Sequence, residues 1–307
     1  MIQVYDEEYN KLAKELKNHF EILGHSKYGA INKYKFIMEF FHQLEQKGIN
    51  DIKAVNSKEI AQHYKYLQQR TGKAGKLSEK SIYTHMTAVQ QLFSYLLRKG
   101  TIKTDPGSAL KFPYPNNKSE RIILTQNEIQ ELYKVSENHQ QRAILSLAYG
   151  CGLRSFELEA INIEDIKLRQ GILIVPRGKG NKRRVVPISS RVIQDLENYY
   201  FKEREQLSKG RNYEETQQAF MLHSRGGRMM KYTYNKYLKR IIERTGNQAI
   251  KSKNITIHNL RHSIATHLLE QGVKVEQVRE FLGHSQLETT EIYTRVGQKQ
   301  LQKLVEC

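Results

Sequence analysis

Apolar residues recur every three or four positions through the first third of the chain. Tyr9, Leu12, Leu16, Phe20 and Leu23 fall on one helix face, and Ile31, Tyr34, Ile37, Phe40, Phe41 and Leu44 on another. Gly24 and Gly48 stand where these two helices should stop. A third helix is predicted from about Ser57, with Ile60, Tyr64 and Leu67 on one face. A fourth runs from about Ser78, with Ile82, Met86, Val89, Phe93 and Leu96 inward, and Gly100 ends it. Four helices with short connections predict a small bundle.

The pattern breaks at residues 112–120. Pro113 and Pro115 cannot continue a helix, and the polar run after them buries nothing, so this stretch reads as a linker. Thr125 followed by Glu128 is a capping box that opens a new helix. Residues 140–150 read as a buried helix. Residues 172–175 and 184–188 read as strands around a turn at Gly178, Lys179, Gly180 and Asn181. Further helices are predicted near 189–207, 231–245, 258–271, 274–282 and 286–294. The expected fold is therefore mainly α with a small antiparallel β-sheet in the C-terminal domain. A helical bundle over 1–111 and a mixed α+β domain over 121–307 flank the linker at 112–120. The chain shows no internal repeat and no low-complexity segment.

A chain of 307 residues with 38% hydrophobic and 27% charged residues suits two domains, each with its own core. The longest apolar stretches, such as Ala143 to Ala148, are too short to span a bilayer. The first residues lack the basic start and apolar run of a signal peptide, so a cytoplasmic protein without a membrane partner is expected. Cys151 and Cys307 make no CxxC pair and no zinc spacing. Cys151 reads as a small core residue and Cys307 as part of the tail.

Charge changes the picture more. The formal net charge is +18. Residues 1–118 hold 19 Lys and Arg against 11 Asp and Glu, and residues 119–307 hold 31 against 21. No basic tail accounts for the excess. Two positive domains suggest two surfaces for one polyanion, although a basic protein can also simply stay soluble.

Five segments of the second domain carry candidate chemistry: Gly152 to Leu158, Gly178 to Arg184, His258 to His262, Leu282 to Ser285, and Thr289 to Thr294. His258 and Arg261, three apart on a helix, share a face. A guanidinium fork beside an imidazole that moves protons suits a phosphate; a capping His beside a surface Arg is the plainer alternative. His258 and His262 have the spacing of a zinc helix, but Asn259 stands where that motif needs Glu, and no third ligand is evident, so no metal is expected. Lys179 between two glycines can project toward a ligand or remain a solvated turn residue. Tyr293 alone, one of 18 tyrosines, would be read as core.

Taken together, with Leu282-Gly-His-Ser followed by Thr-Thr-x-x-Tyr, the second domain resembles the catalytic domain of the tyrosine recombinases, the lambda integrase family that includes the Xer proteins. The motifs come in the family's order and spacing. The basic helical first domain resembles the family's core-binding domain, so the resemblance covers nearly the whole chain. It implies a site-specific recombinase that cuts and rejoins DNA strands through a 3′-phosphotyrosyl link and a Holliday junction. It implies Tyr293 as nucleophile, Arg154 and Arg261 on the non-bridging phosphate oxygens, and Lys179 protonating the leaving 5′-oxygen. It further implies His258 assisting proton transfer, His284 hydrogen-bonding the phosphate, and Glu157 in support. No cofactor is needed, because the fixed cations stabilise the transition state and the covalent link keeps the phosphodiester's energy.

Arg177, Lys182, Arg183, Arg225, Arg228 and Lys231 are candidate contacts to DNA phosphates, and Lys182 is the rival to Lys179. The expected partners are double-stranded DNA, gripped between the two domains, and further copies of the chain in a homotetramer on synapsed DNA. A second recombinase or a DNA-bending accessory protein would be additional partners. Phe156 departs from the family, which commonly has a small residue there, and this bears on local packing. After Tyr293, Val296, Leu301, Leu304 and Val305 could dock on a neighbouring copy or fold back on their own domain. A DNA-binding protein that has lost catalysis and a type IB topoisomerase are the competing readings. The first should lack at least one catalytic residue, and the second should relax DNA without site preference.

Overall fold

The computed structural model describes residues 3–72, 75–115, 121–176, 183–209 and 214–283. The chain divides into two compact units, Met1–Lys118 and Ser119–Cys307.

The first unit holds helices α1 (Glu7–Ile22), α2 (Lys27–Glu45), α3 (Ser57–Gln69) and α4 (Glu79–Arg98). Each starts on a side-chain cap: Asp6, Ser26, Asn56 and Ser78 accept from the first-turn backbone N–H groups, which have no partner inside the helix. Gly24, Gly48 and Gly100 lie just past three of the helix ends with positive φ. The core contains Tyr9, Leu16, Phe20, Phe40, Phe41, Met86, Leu92 and Phe93, with the Tyr9 and Phe41 rings stacked at 4.4 Å. Two expectations shift. Leu23 lies beyond the end of α1 and is 57% exposed, and Ala13 takes the inward position between Tyr9 and Leu16. A short antiparallel pair, β1 (Thr71–Gly72) with β2 (Gly75–Lys76), joins α3 to α4. Phe112, at the start of the predicted linker, packs on the core of this unit, with its ring 5.1 Å from Tyr64.

The second unit opens with α5 (Gln126–Lys134), whose Thr125–Glu128 capping box forms both of its bonds. Helix α6 (His139–Leu145) continues as a π-helical turn, Ser146–Gly150, with every residue from Ala143 to Ala148 buried. That turn delivers the chain to Gly152, whose φ of +59° only glycine adopts without strain. Helix α7 (Ser155–Ala160) follows, then a three-stranded antiparallel sheet of β3 (Ile166–Lys167), β4 (Ile172–Val175) and β5 (Arg184–Pro187). Leu173 pairs with Val186 and Val175 with Arg184, so these four share the inward face. Helices α8 (Ser190–Tyr199), α9 (Glu205–Ser208), α10 (Glu214–Gln218), α11 (Lys231–Thr245), α12 (Gln248–Ser252), α13 (Ile257–Glu270) and α14 (Val275–Leu282) follow among the described residues of the unit. The fold is thus mainly helical with one small antiparallel sheet in the second unit, as the pattern predicts. The pair β1 and β2, strand β3 and the short helices α7, α10 and α12 were not foreseen. The turn at 178–181, the helix at 286–294 and the apolar tail lie outside the described residues. Among the described residues, no helix is long and apolar enough to cross a membrane.

Candidate active site

Helix α13 carries two of the sequence candidates. His258 sits in its first turn with its side chain toward solvent; Arg261, one turn on, is among the most deeply buried side chains, 2% exposed. Helix α7 carries two more: Arg154 is its N-cap and Glu157 lies in its first turn, where a carboxylate meets the positive end of the helix.

Three of these, Arg154, Glu157 and Arg261, meet at the C-terminal end of α14, and His258 lies within reach of the charges of the two arginines. Arg261 donates to the carbonyls of Gly152 and Leu282, the latter at 2.5 Å. Arg154 donates to the Leu282 carbonyl and to that of Gly283, each at 3.4 Å. Both guanidiniums therefore rest on the last carbonyls of α14, the negative end of its dipole. Glu157, 1% exposed, lies beneath them. It accepts from the Arg154 backbone N–H at 2.9 Å and from Arg154 Nη1 at 2.9 Å, and Arg261 Nη1 stands 3.8 Å away.

A third arginine completes the cluster, and sequence reasoning missed it as a site residue. Arg184 holds both Glu157 oxygens, Nη1 on Oε1 at 2.7 Å and Nη2 on Oε2 at 2.8 Å. A signal was available. In β5 the period of two places Arg184 on the same face as Val186, and an arginine on a strand's buried face calls for a buried anion.

The electrostatics follow from this packing. Burial would push the Glu157 carboxyl up, but the hydrogen bonds and charge of Arg184, the Arg154 backbone N–H and the charge of Arg261 outweigh it and hold the carboxyl at about 2. The His258 imidazole is lowered, first by partial desolvation and then by the charges of Arg261, Arg154 and Arg121, so its neutral form is favoured. His262, with its ring centroid 4.3 Å from that of His258, is lowered further, to about 4, by burial and then by its neighbour. Among the described residues no group of three His, Cys, Asp or Glu side chains gathers as metal ligands.

The remaining candidates divide. Tyr293, Lys179, His284, Arg177 and Lys182 lie outside the described residues. Arg183, Arg225 and Lys231 are exposed. Arg228 instead donates inward, to the Glu159 carbonyl at 2.9 Å and to Asn162 Oδ1 at 2.7 Å, which ties the end of α7 to the turn before α11. Phe156 is 45% exposed, so its bulk displaces nothing in the core.

Gly152 shows how tightly α14 packs here. A Cβ on it would lie 2.7 Å from Leu282 Cδ2 and 3.2 Å from Phe281 Cε1. Gly152→Ala is expected to destabilise the second unit by about 1–3 kcal/mol, through left-handed strain and overpacking together. A urea titration checks this, and an unchanged midpoint would contradict the packing described.

Residues 123–300, more than half of the chain, match the phage integrase family. The chain is 37% identical over 227 residues to tyrosine recombinase XerA of Pyrococcus horikoshii, covering 74% of each protein. It is 33% identical over 231 residues to tyrosine recombinase XerD of Oceanobacillus iheyensis, covering 74% of this chain and 75% of that one. In fold it is similar to the Tn1549 transposon integrase solved with transposon right end DNA, at a TM-score of 0.68 and 18% identity, covering 94% of this chain and 95% of that one. By the family match and these two relatives, the chain belongs to the phage integrase family, the tyrosine recombinases.

Proposed function

We propose that the chain cuts and rejoins double-stranded DNA at specific sites with Tyr293 as its covalent nucleophile. The observation that carries this is the convergence of Arg154 and Arg261 over one buried carboxylate, at the end of the helix that leads into His284 and Tyr293. Among the described residues three guanidiniums face one carboxylate there, an excess of positive charge that suits an anion. The carbonyls that Arg154 and Arg261 now hold are weaker acceptors than phosphate oxygens, so an arriving phosphodiester competes for the same N–H groups.

In this reading Tyr293 Oη attacks phosphorus and the bond to the 5′-oxygen breaks. Lys179 gives that oxygen its proton, and the 3′-phosphate remains on Tyr293. Neutral His258 accepts a proton, His284 hydrogen-bonds the phosphate, and the two arginines hold the non-bridging oxygens, where charge accumulates in the transition state. A DNA hydroxyl reverses the step, since phenolate is a moderate leaving group. Exposed Arg183, Arg225 and Lys231, with Arg177 and Lys182, supply salt-dependent contacts to the DNA backbone. Strand exchange through a Holliday junction calls for four copies on synapsed DNA, with a second recombinase or an accessory DNA-bending protein as further partners. The soluble reaction belongs in the cytoplasm.

The test is a nicked suicide duplex, incubated with the protein in EDTA and run on a denaturing gel. A covalent adduct is expected; adduct formation only when divalent metal is restored would overturn the mechanism. Arg261→Ala should lower the single-turnover rate by about 10²–10³-fold while DNA affinity changes far less. Equal losses in both would reduce Arg261 to a binding residue.

A further inference from the structure

Arg184 joins three elements through one guanidinium. From the start of β5 it grips both oxygens of Glu157 on α7, and its Nε donates at 3.2 Å to the Phe281 carbonyl at the end of α14. Its aliphatic stem lies against Gly283, where an added Cβ would come within 2.8 Å of Arg184 Cδ. The Arg184 side chain is 9% exposed and that of Glu157 fully buried, so water contributes little to either.

We infer that Arg184 is a positioning residue for strand cleavage: by satisfying Glu157 it keeps Arg154 and Arg261 available to the DNA phosphate. This inference rests on the recombinase reading above. A buried carboxylate must be paired. Without Arg184, Glu157 would have, among the described residues, only Arg154 and Arg261 to neutralise it, and it would compete with the phosphate for their N–H groups. With Arg184 in place, both carboxylate oxygens are met by a planar fork, so Glu157 draws on the Arg154 side chain through Nη1 alone and leaves Arg261 Nη1 at 3.8 Å, beyond hydrogen-bond distance. The bond to Phe281 also fixes the end of α14 relative to the cluster, just before the segment that carries His284 and Tyr293. A lysine cannot reproduce this, because a point charge does not bridge two carboxylate oxygens and a carbonyl at once.

The experiment uses the full chain, a saturating nicked suicide duplex, single-turnover adduct formation, and a separate binding titration. Arg184→Gln is expected to slow adduct formation by about 10–100-fold, less than loss of a direct phosphate donor, with DNA affinity within about threefold. Adding Glu157→Gln to it should recover at least about tenfold, because the uncompensated carboxylate is gone. Arg184→Lys should recover part of the rate and still bind DNA normally. Arg184→Gln cleaving within about threefold of the wild type, or losing rate and affinity in equal measure, overturns the inference. Should Arg184→Gln fail to fold, Arg184→Lys decides: wild-type cleavage by that variant overturns the inference, and slowed cleavage with intact binding supports it. A carbon-13 titration of the Glu157 carboxyl adds a readout independent of activity. It should move up in either variant, and an unmoved titration overturns the pairing. Absence of any adduct from the wild-type chain bound to its duplex would instead overturn the recombinase reading itself, and with it the assignment to cleavage.

Discussion

Tyr293→Phe is expected to bind the target duplex as the unaltered chain does and to form no covalent adduct on it. The exchange removes one oxygen and keeps the ring. Affinity for the duplex comes mainly from lysines and arginines meeting phosphates, and none of these is touched. An affinity change within about twofold is therefore expected at any one salt concentration. Chemistry is affected differently. The reaction splits into attack by an enzyme oxygen and re-attack by a DNA hydroxyl, and without the first oxygen neither half begins. The loss should be complete, whereas removal of one charge-stabilising donor leaves a residual rate about 10²–10³-fold lower. A gel showing adduct from Tyr293→Phe would mean that another residue attacks.

The second large effect is on stability. Glu157→Ala should cost about 3–5 kcal/mol of folding free energy, the usual result of removing one partner from a buried ion pair. The Arg154 side chain would lose one charge-assisted bond and Arg184 two, and Arg261 would lose the anion 3.8 Å away. Glu157→Gln should cost less, since the amide still accepts one hydrogen bond. The same carboxylate sets a pH dependence. Its folded-state value of about 2 lies below the ordinary 4.5, so its stabilising contribution is whole above about 4.5 and disappears as pH falls toward 2. Denaturant midpoints of the unaltered chain should fall across that window, and those of Glu157→Gln should fall less. Parallel curves for the two would contradict the charge pairing.

Most of the fold was legible because its signals are local. The capping box at Thr125, the glycine stops at Gly24, Gly48 and Gly100, and the apolar spacing of α1 to α4 depend on a few neighbouring residues. Strand β3 was not legible, since two residues carry no period. Leu23 misled because the spacing continued past the point where α1 ends. The candidate site was legible in part. Arg154, Glu157, His258 and Arg261 stand out through their motifs, and the structure gathers Arg154, Glu157 and Arg261 although more than a hundred residues separate α7 from the end of α14. Arg184 was passed over as one of several basic residues after the glycine turn, because its partner is distant in sequence. Arg228 shows the reverse: basic in sequence and a candidate for DNA, it spends its donors on the Glu159 carbonyl and Asn162.

The central claim is that Tyr293 becomes joined to DNA. The most direct measurement is to trap the adduct on a nicked duplex, digest protein and DNA, and identify by mass spectrometry the residue that keeps a nucleotide. A 3′-nucleotide on the peptide containing Tyr293, joined through its phenolic oxygen, is the predicted result. A nucleotide on any other side chain, or a linkage to the 5′ end of the broken strand, would contradict the account.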